Sequence, residues 1–440
     1  MIPASPEGPG RRRIRIADFQ RIRRMLAYAS TWFGCTADLL LDSSAILILY
    51  MSRLGGSASL ILLAGGISSL VTMFLQIPAG SIVDRLGAKR GIFLSCGIVM
   101  GSFFLIASAP FWGSAGNVAV IAGVGFHAVS KALWNVSWYL ILGGILRPRE
   151  RGMFLGTMRF SYYLLNAVVF FLLGVALKSI SSIEFLQAIF IGVGLLSIGR
   201  ILAIAGIRLN VRSSGTPPKR PLKEAFMVSL SNSSLVGAAI YTALVSFAFA
   251  PVLQLALIYF NHTMKFDGGS VQLISSVGLA GNICAALVYG KLLKLFGMRF
   301  FQIAMHLSFL VVCVGFSLCS PGMPAEATLC SGLFFCACFA FTCFGCNVSR
   351  EMLALARPGN ESMATSFSLT YQMFGTAAGR LAGSQLLGCG CLSSSWVLAG
   401  HRVTASQTLF LCCGALLFFL LILLPLLPSV VPKHNDYYKP

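Results

Sequence analysis

Gly80-Ser-Ile-Val-Asp84-Arg85-Leu-Gly87-Ala-Lys89-Arg90 is a short polar stretch between two long apolar runs. It carries one acid, three bases and two glycines in eleven residues. A degraded copy, Gly290-Lys-Leu-Leu-Lys294-Leu-Phe-Gly297-Met-Arg299, follows at an offset of 210 (290 − 80), with Lys294 in the place of Asp84. A punctuation mark used twice implies a chain built from two related halves.

The chain around this loop belongs in a bilayer. Of 440 residues, 57% are hydrophobic and 10% charged, with a mean hydropathy of +0.83. Soluble domains carry about 25% charged residues. A membrane helix takes about 20 apolar residues. Apolar runs fall near 27–51, 57–79, 91–109, 117–146, 153–177, 185–206, 235–260, 269–290, 300–319, 328–348, 362–388 and 406–430, here called spans 1 to 12. They are continuous rather than alternating, which excludes a membrane barrel. The first run is too long for a signal peptide and reads as a retained helix. The expectation is an all-α integral membrane protein with 12 transmembrane helices.

The longest connection, 207–234, holds Arg208, Arg212, Pro217, Pro218, Lys219, Arg220 and Lys223 and divides the spans six and six. The expected organisation is a basic N-terminal segment (1–26), a six-helix bundle (27–206), a linker (207–234), a second bundle (235–430) and a tail (431–440). Residues 1–10, rich in proline and glycine, are expected to be disordered. With both ends on the cytoplasmic side, 25 basic residues fall in cytoplasmic segments and 4 in the opposite ones. That asymmetry is the positive-inside pattern. It also accounts for the net charge of +20 without nucleic acid. Two further echoes support the repeat. Asn135-Val-Ser matches Asn347-Val-Ser at an offset of 212, and Glu150 matches Glu361 at 211. Internal repeats mark secondary transporters, whose substrate site lies at mid-membrane between the repeats.

The pattern Gly80-x-x-x-Asp84-Arg85-x-Gly87-x-Lys89-Arg90 resembles the signature loop between helices 2 and 3 of major facilitator superfamily transporters. The resemblance covers about residues 20–430. It implies two pseudo-symmetric six-helix bundles, alternating access, a small organic solute as substrate and a location in the plasma (cell inner) membrane. A monomer is expected. By the same resemblance Asp84 faces the positive start of span 11 near Glu361–Ala364. Gly80 permits close helix approach, Gly87 a tight turn, and Arg85, Lys89 and Arg90 pair with loop acids such as Glu150. These contacts would lock the cytoplasmic side when the protein is open outward. The alternative is an ordinary solvated charge pair at Asp84-Arg85.

Charges inside spans are costly and point to function. Span 1 contains Asp38 and Asp42 and span 4 contains His127 and Lys131, each pair four apart and so on one helical face. The two spans run antiparallel, so Asp42 and His127 lie further outward than Asp38 and Lys131. In the family, helices 1, 4, 7 and 10 line the central cavity. One reading is a proton-coupling cluster in which an aspartate exchanges a proton as its basic partner changes. The other readings are a static ion pair, or Lys131 binding an anionic substrate group. Arg159 in span 5 either snorkels or contacts substrate, and Arg380 in span 11 is a candidate anion contact. No acid is expected at membrane depth in the second half. There Tyr241 and Gln254 are candidate substrate contacts, beside phenylalanines that are read as packing or as an aromatic wall.

Several functions are disfavoured. The fourteen cysteines lie mostly inside apolar runs and lack zinc-site spacing, so neither metal nor cofactor is expected. No phosphate-binding loop or nucleophile elbow is present, which argues against an ATP-driven pump or an enzyme. Span 5 lacks the Gly-Pro-x-x-Gly-Gly pattern of drug/proton antiporters, and the linker lacks the Pro-Glu-Ser-Pro-Arg signature of sugar porters. The competing class is a transporter-like receptor that binds without transporting.

Overall fold

The structure is a computed structural model that describes residues 9–146, 148–180, 182–207, 221–393, 395–398 and 401–426. The side chains of 9–19, 84, 139, 143, 148–152, 362, 398, 401 and 425–426 fall outside that description. The expectations for residues 1–8, for most of the linker, for the C-terminal tail and for the side chains of Asp84 and Glu150 therefore concern undescribed groups.

The described chain is almost entirely helical. Its helices are α1 (Pro9–Asp42), α2 (Ile46–Arg53), α3 (Ala58–Leu86), α4 (Ala88–Ala107), α5 (Gly116–Ile145), α6 (Pro148–Ser179) and α7 (Ile183–Gly206), then a short linker helix α8 (Leu222–Leu230). They continue with α9 (Ser233–His262), α10 (Gly268–Leu318), α11 (Glu326–Leu355), α12 (Glu361–Gly388) and α13 (Ala405–Leu426). Nine described helices are long and apolar enough to cross a membrane, or ten when α1 and α2 are taken as one bent span.

Helix α10 counts once there, yet its 51 residues would extend about 76 Å at 1.5 Å each. That is more than twice a hydrocarbon core of about 30 Å. It breaks at Gly297, whose φ of 70° lies in the left-handed region. Gly87, between α3 and α4, has φ 86°. The interval is again 210 (297 − 87), so the loop and its degraded copy make the same turn. The polar echo recurs too: Asn135 bonds Gln76 at 3.5 Å, spans 4 to 2, and Tyr289 bonds Asn347 at 3.4 Å, spans 8 to 10.

Three local differences from the sequence reading have physical causes. Residues 9–26 continue the helix of span 1 beyond its N-terminal end, with no break between Pro9 and Asp42. Span 1 then breaks at 43–45 with a bend of 51°. An antiparallel hairpin, β1 (Ser395–Leu398) and β2 (His401–Thr404), joins α12 to α13, with valines and a tryptophan suited to strands.

Packing distinguishes the two ends of the bundle. Call the end bearing Gly87 and Gly297 the loop side, and the other the far side. On the far side one apolar core joins both halves of the chain, with Ile61 and Leu62 of α3 and Val252 and Leu255 of α9 among its members, and within the second half it runs on to Leu293 and Phe301. On the loop side the cores are separate. One surrounds Trp134, Trp138 and Phe154, and another surrounds Leu235, Leu355 and Phe367.

The glycines tell the same story. A Cβ on Gly66 would come 2.9 Å from Leu381, and one on Gly174 2.8 Å from Leu273, so helices cross there at backbone distance. Among the described residues, a Cβ on Gly80 or Gly290 would meet nothing within 4 Å. The far side is closed, and at these loop-side glycines the helices stand apart. Gly80 thus does not serve close approach in this state.

Candidate functional site

The break in span 1 builds the site. Helix α1 ends at Asp42, and α2 restarts at Ile46, whose amide donates to Ser44 Oγ at 3.0 Å. Ser44 Oγ and the Ala45 amide donate in turn to Gln272 Oε1 of α10, at 2.8 and 3.0 Å. Backbone groups freed by a break inside a membrane need such partners. Here they come from the opposite half of the chain.

At the end of α1, Lys131 Nζ of α5 bonds Asp42 Oδ2 at 2.5 Å, and His127 Nε2 bonds Asp38 Oδ1 at 3.0 Å. Both pairs are separated by 89 residues. The four residues that share the facing sides of spans 1 and 4 come together, in a pairing that their spacing leaves open. The antiparallel levels favour Asp42 with His127, whereas the structure makes the opposite diagonal. The break leaves Asp42 at a helix end, and the long stem of Lys131 covers the difference in level.

His127 is almost enclosed, with Phe103 edge-on at 5.6 Å, and its Nδ1 has no partner. With Nε2 facing a carboxylate, the neutral ring best carries its proton on Nε2, which leaves Nδ1 as a vacant acceptor. Asp38, Asp42 and Lys131 are a quarter to a third exposed, so they face open space rather than solid core.

Arg380 of α12 completes the cluster from the other half. Its guanidinium donates to the Gly65 carbonyl at 3.2 Å, its Nε is unpartnered, and its charge reaches both Asp42 and Lys131. Gln254 of α9 lies over the same glycine with its Oε1, which is buried without a hydrogen-bond partner among the described residues, and its Nε2 donates to the Ile61 carbonyl at 2.8 Å. Gln254 therefore braces the closed far side beside the charges. Arg159 reaches Cys346 of α11 at 3.8 Å, a contact between halves on the loop side. Tyr241 points elsewhere. It is buried against His306, 3.4 Å from Nε2, inside the C-terminal helices.

Among the loop residues, Lys89 has a backbone partner. Lys89 Nζ donates to the Ala205 carbonyl at 3.3 Å, the C-terminal end of α7, where a cation is favoured by the helix dipole. Arg85 lies in the last turn of α3, and Arg85 and Arg90 are exposed.

The second half contains a buried acid that the sequence does not single out, Glu351, 2% exposed near the end of α11 and past the expected end of span 10. Gln302 and Asn347 donate to its Oε1 at 2.9 and 3.3 Å. Its neighbours Arg350 and Arg357 make it read as a loop charge in the sequence. The break at 43–45 was also missed, although Ser43-Ser44 inside an apolar run was its available signal. Arg200 is nearly buried too. It stacks on Trp134 at 3.7 Å and occupies the space over Gly34, locking α1, α5 and α7.

A helical membrane bundle with a repeated turn, a broken first span and charges converging from both halves at the break defines a transporter-type membrane protein. The profile described as the Major Facilitator Superfamily matches residues 25–384, and the chain belongs to that superfamily. No curated protein sequence matches it. Among solved structures it is similar to a mutant of the nucleoside transporter NupG, with TM-score 0.69 and 13% identity over 92% of this chain and 98% of that one. It is similar also to NupG itself, with TM-score 0.67 and 12% identity over 94% and 100%. A D-xylose-proton symporter gives TM-score 0.72 and 12% identity over 93% and 98%. At such identities the likeness concerns the fold.

Proposed function

We propose that this chain is a proton-coupled secondary transporter that moves a small organic solute by alternating access. The observation that carries this reading is the double pair Asp38–His127 and Asp42–Lys131 at the break of span 1, faced by Arg380 from the opposite half. Two carboxylates with exchangeable basic partners, partly open to the cavity, can give up or accept a proton when a partner moves. Arg380 and Lys131 together also offer an anionic or hydrogen-bonding substrate group two donors. The nucleoside and pentose transporters of the same fold make polar solutes of that size the first to try.

In this reading residues 27–206 and 235–430 are the two rocking bundles, the termini and the Gly80–Arg90 loop are cytoplasmic, and the monomer in the plasma membrane is the working unit. With that orientation, the loop side, where the two halves stand apart, faces the cytoplasm. Closing that side brings Gly80 and Gly290 to helix contact, with Asp84 and Gly87 shaping the latch. The test is accumulation of labelled nucleosides and pentoses in proteoliposomes with and without an imposed proton gradient. Gradient-dependent accumulation supports the reading. Binding without accumulation would leave a receptor instead.

A further inference from the structure

Helix α12 ends at Gly388, and the Cys389 amide closes its last turn on the Gln385 carbonyl at 2.8 Å. Gly390 then turns the chain with φ 69°, and the Cys391 sulfur comes back to 3.0 Å from Cys389 Sγ. Both cysteines are exposed on the far side, just before the β1–β2 hairpin. We propose that Cys389-Gly390-Cys391 is a thiol–disulfide site, which a low-molecular-weight disulfide oxidises to an intramolecular Cys389–Cys391 bond.

The surroundings single out this pair. Of fourteen cysteines four are exposed, and the other two, Cys336 and Cys412, lie within the apolar helices α11 and α13. A membrane face opposes the thiolate that exchange requires. Cys319 and Cys330 are also neighbours, yet both are buried and shielded from an oxidant. At Cys389 the hydrogen bond shared with Cys391 holds the thiol below its ordinary range and pushes Cys391 above it, so one sulfur is the nucleophile and the other the resolving thiol. Successive Cα atoms lie about 3.8 Å apart. A turn at the central glycine therefore brings Cys389 and Cys391 into the range of about 4.4–6.8 Å that disulfides use.

The chemistry balances in two displacements. Cys389 thiolate attacks one sulfur of the small disulfide, forming a mixed disulfide and releasing one small thiol. Cys391 thiolate then attacks Cys389 Sγ and expels the second small thiol. The pair loses two hydrogens and two electrons, and the small disulfide is reduced to two thiols. The site adjoins the far-side closure: a Cβ on Gly388 would come 2.7 Å from Ser59 Oγ, and Ser59 Oγ donates to the Ser384 carbonyl at 2.7 Å.

The test uses the purified full-length chain and oxidised glutathione, followed by alkylation of remaining thiols and peptide mass spectrometry. It needs no transport substrate, so its outcome is independent of the proposed function. The expected product is a peptide spanning 389–391 that is lighter by two hydrogens and carries neither alkyl group nor glutathione. In Cys391→Ser the glutathione adduct is expected to persist on Cys389, because no resolving thiol remains. A wild-type peptide that keeps a stable adduct, or that is alkylated at both thiols after the same exposure, would overturn the proposal.

Discussion

Ser52 Oγ and His262 Nε2 lie 2.8 Å apart and 210 residues apart in sequence, the same interval that separates Gly87 from Gly297. They occupy equivalent places at the far-side ends of spans 1 and 7, and equivalent places that touch lie at the axis relating the repeats. Ser52 Oγ also donates to the Ile48 carbonyl at 2.7 Å, so its single hydrogen is engaged and His262 Nε2 is the donor between them. This bond, with the Ser59–Ser384 contacts and the Gln272 bridge to Ser44 and Ala45, pins the far side shut.

Replacing Ser52 by alanine removes the acceptor. A bond of this kind contributes about 0.5–1.5 kcal/mol net, so the far side should open roughly 2- to 10-fold more often. A cysteine placed at Ile61, fully buried in the closed core, reports this through its rate of modification by a soluble maleimide. An unchanged rate would mean the bond does not hold the closure.

Two glycines should respond in opposite ways. A Cβ on Gly375 would sit 2.0 Å from the Ala243 carbonyl oxygen, a backbone atom that cannot step aside. Gly375→Ala should therefore destabilise the protein by about 1–3 kcal/mol, read as a lowered melting temperature. Gly80→Leu meets open space here and should leave melting unchanged, while stopping transport by preventing loop-side closure. Full transport by Gly80→Leu would remove Gly80 from the gate.

Much of this was legible in the sequence, and the losses have identifiable causes. The repeat, the turn glycines and the quartet Asp38, Asp42, His127 and Lys131 follow from spacing, because helical geometry fixes which residues share a face. The partners of Arg380 and Gln254 were not legible, since both bond backbone carbonyls of α3, and carbonyls carry no sequence signal. The place of Tyr241 against His306 was not legible either, because a helix position does not reveal which of several neighbours a side chain meets. The burial of Glu351 was not legible, because it stands between Arg350 and Arg357 at the end of an apolar run.

Asp267 supplies a pH prediction outside the membrane. It caps α10, accepting from the Ser270 amide at 2.9 Å and from the Ser270 hydroxyl at 2.5 Å. Burial alone would raise its pKa, but these bonds, the Gly269 amide and Lys178 outweigh burial and hold it below the ordinary carboxylate value. A carboxyl depressed in the folded state stabilises above its unfolded pKa of about 3.9 and loses that contribution as pH falls through the folded value. Asp267→Ala should cost about 1 kcal/mol at neutral pH, and the gap from wild type should close below about pH 4. A gap constant down to pH 3 would contradict the cap.

The paired charges at the break of span 1 are the centre of the account. Asp42→Asn leaves Lys131 without its carboxylate, and breaking a fully buried pair costs about 3–5 kcal/mol. The cost should be lower here because both partners are partly exposed. The double variant Asp42→Asn with Lys131→Gln removes both charges and guards against simple misfolding. The decisive measurement is solute accumulation in proteoliposomes under an imposed proton gradient, comparing wild type with Asp38→Asn, Asp42→Asn and the double variant, each shown to be folded and to bind the solute. The expected result is gradient-driven accumulation by wild type that a protonophore abolishes, and exchange without gradient-driven accumulation by the variants. Gradient-driven accumulation that survives in all three variants would contradict the assignment of proton coupling to these pairs.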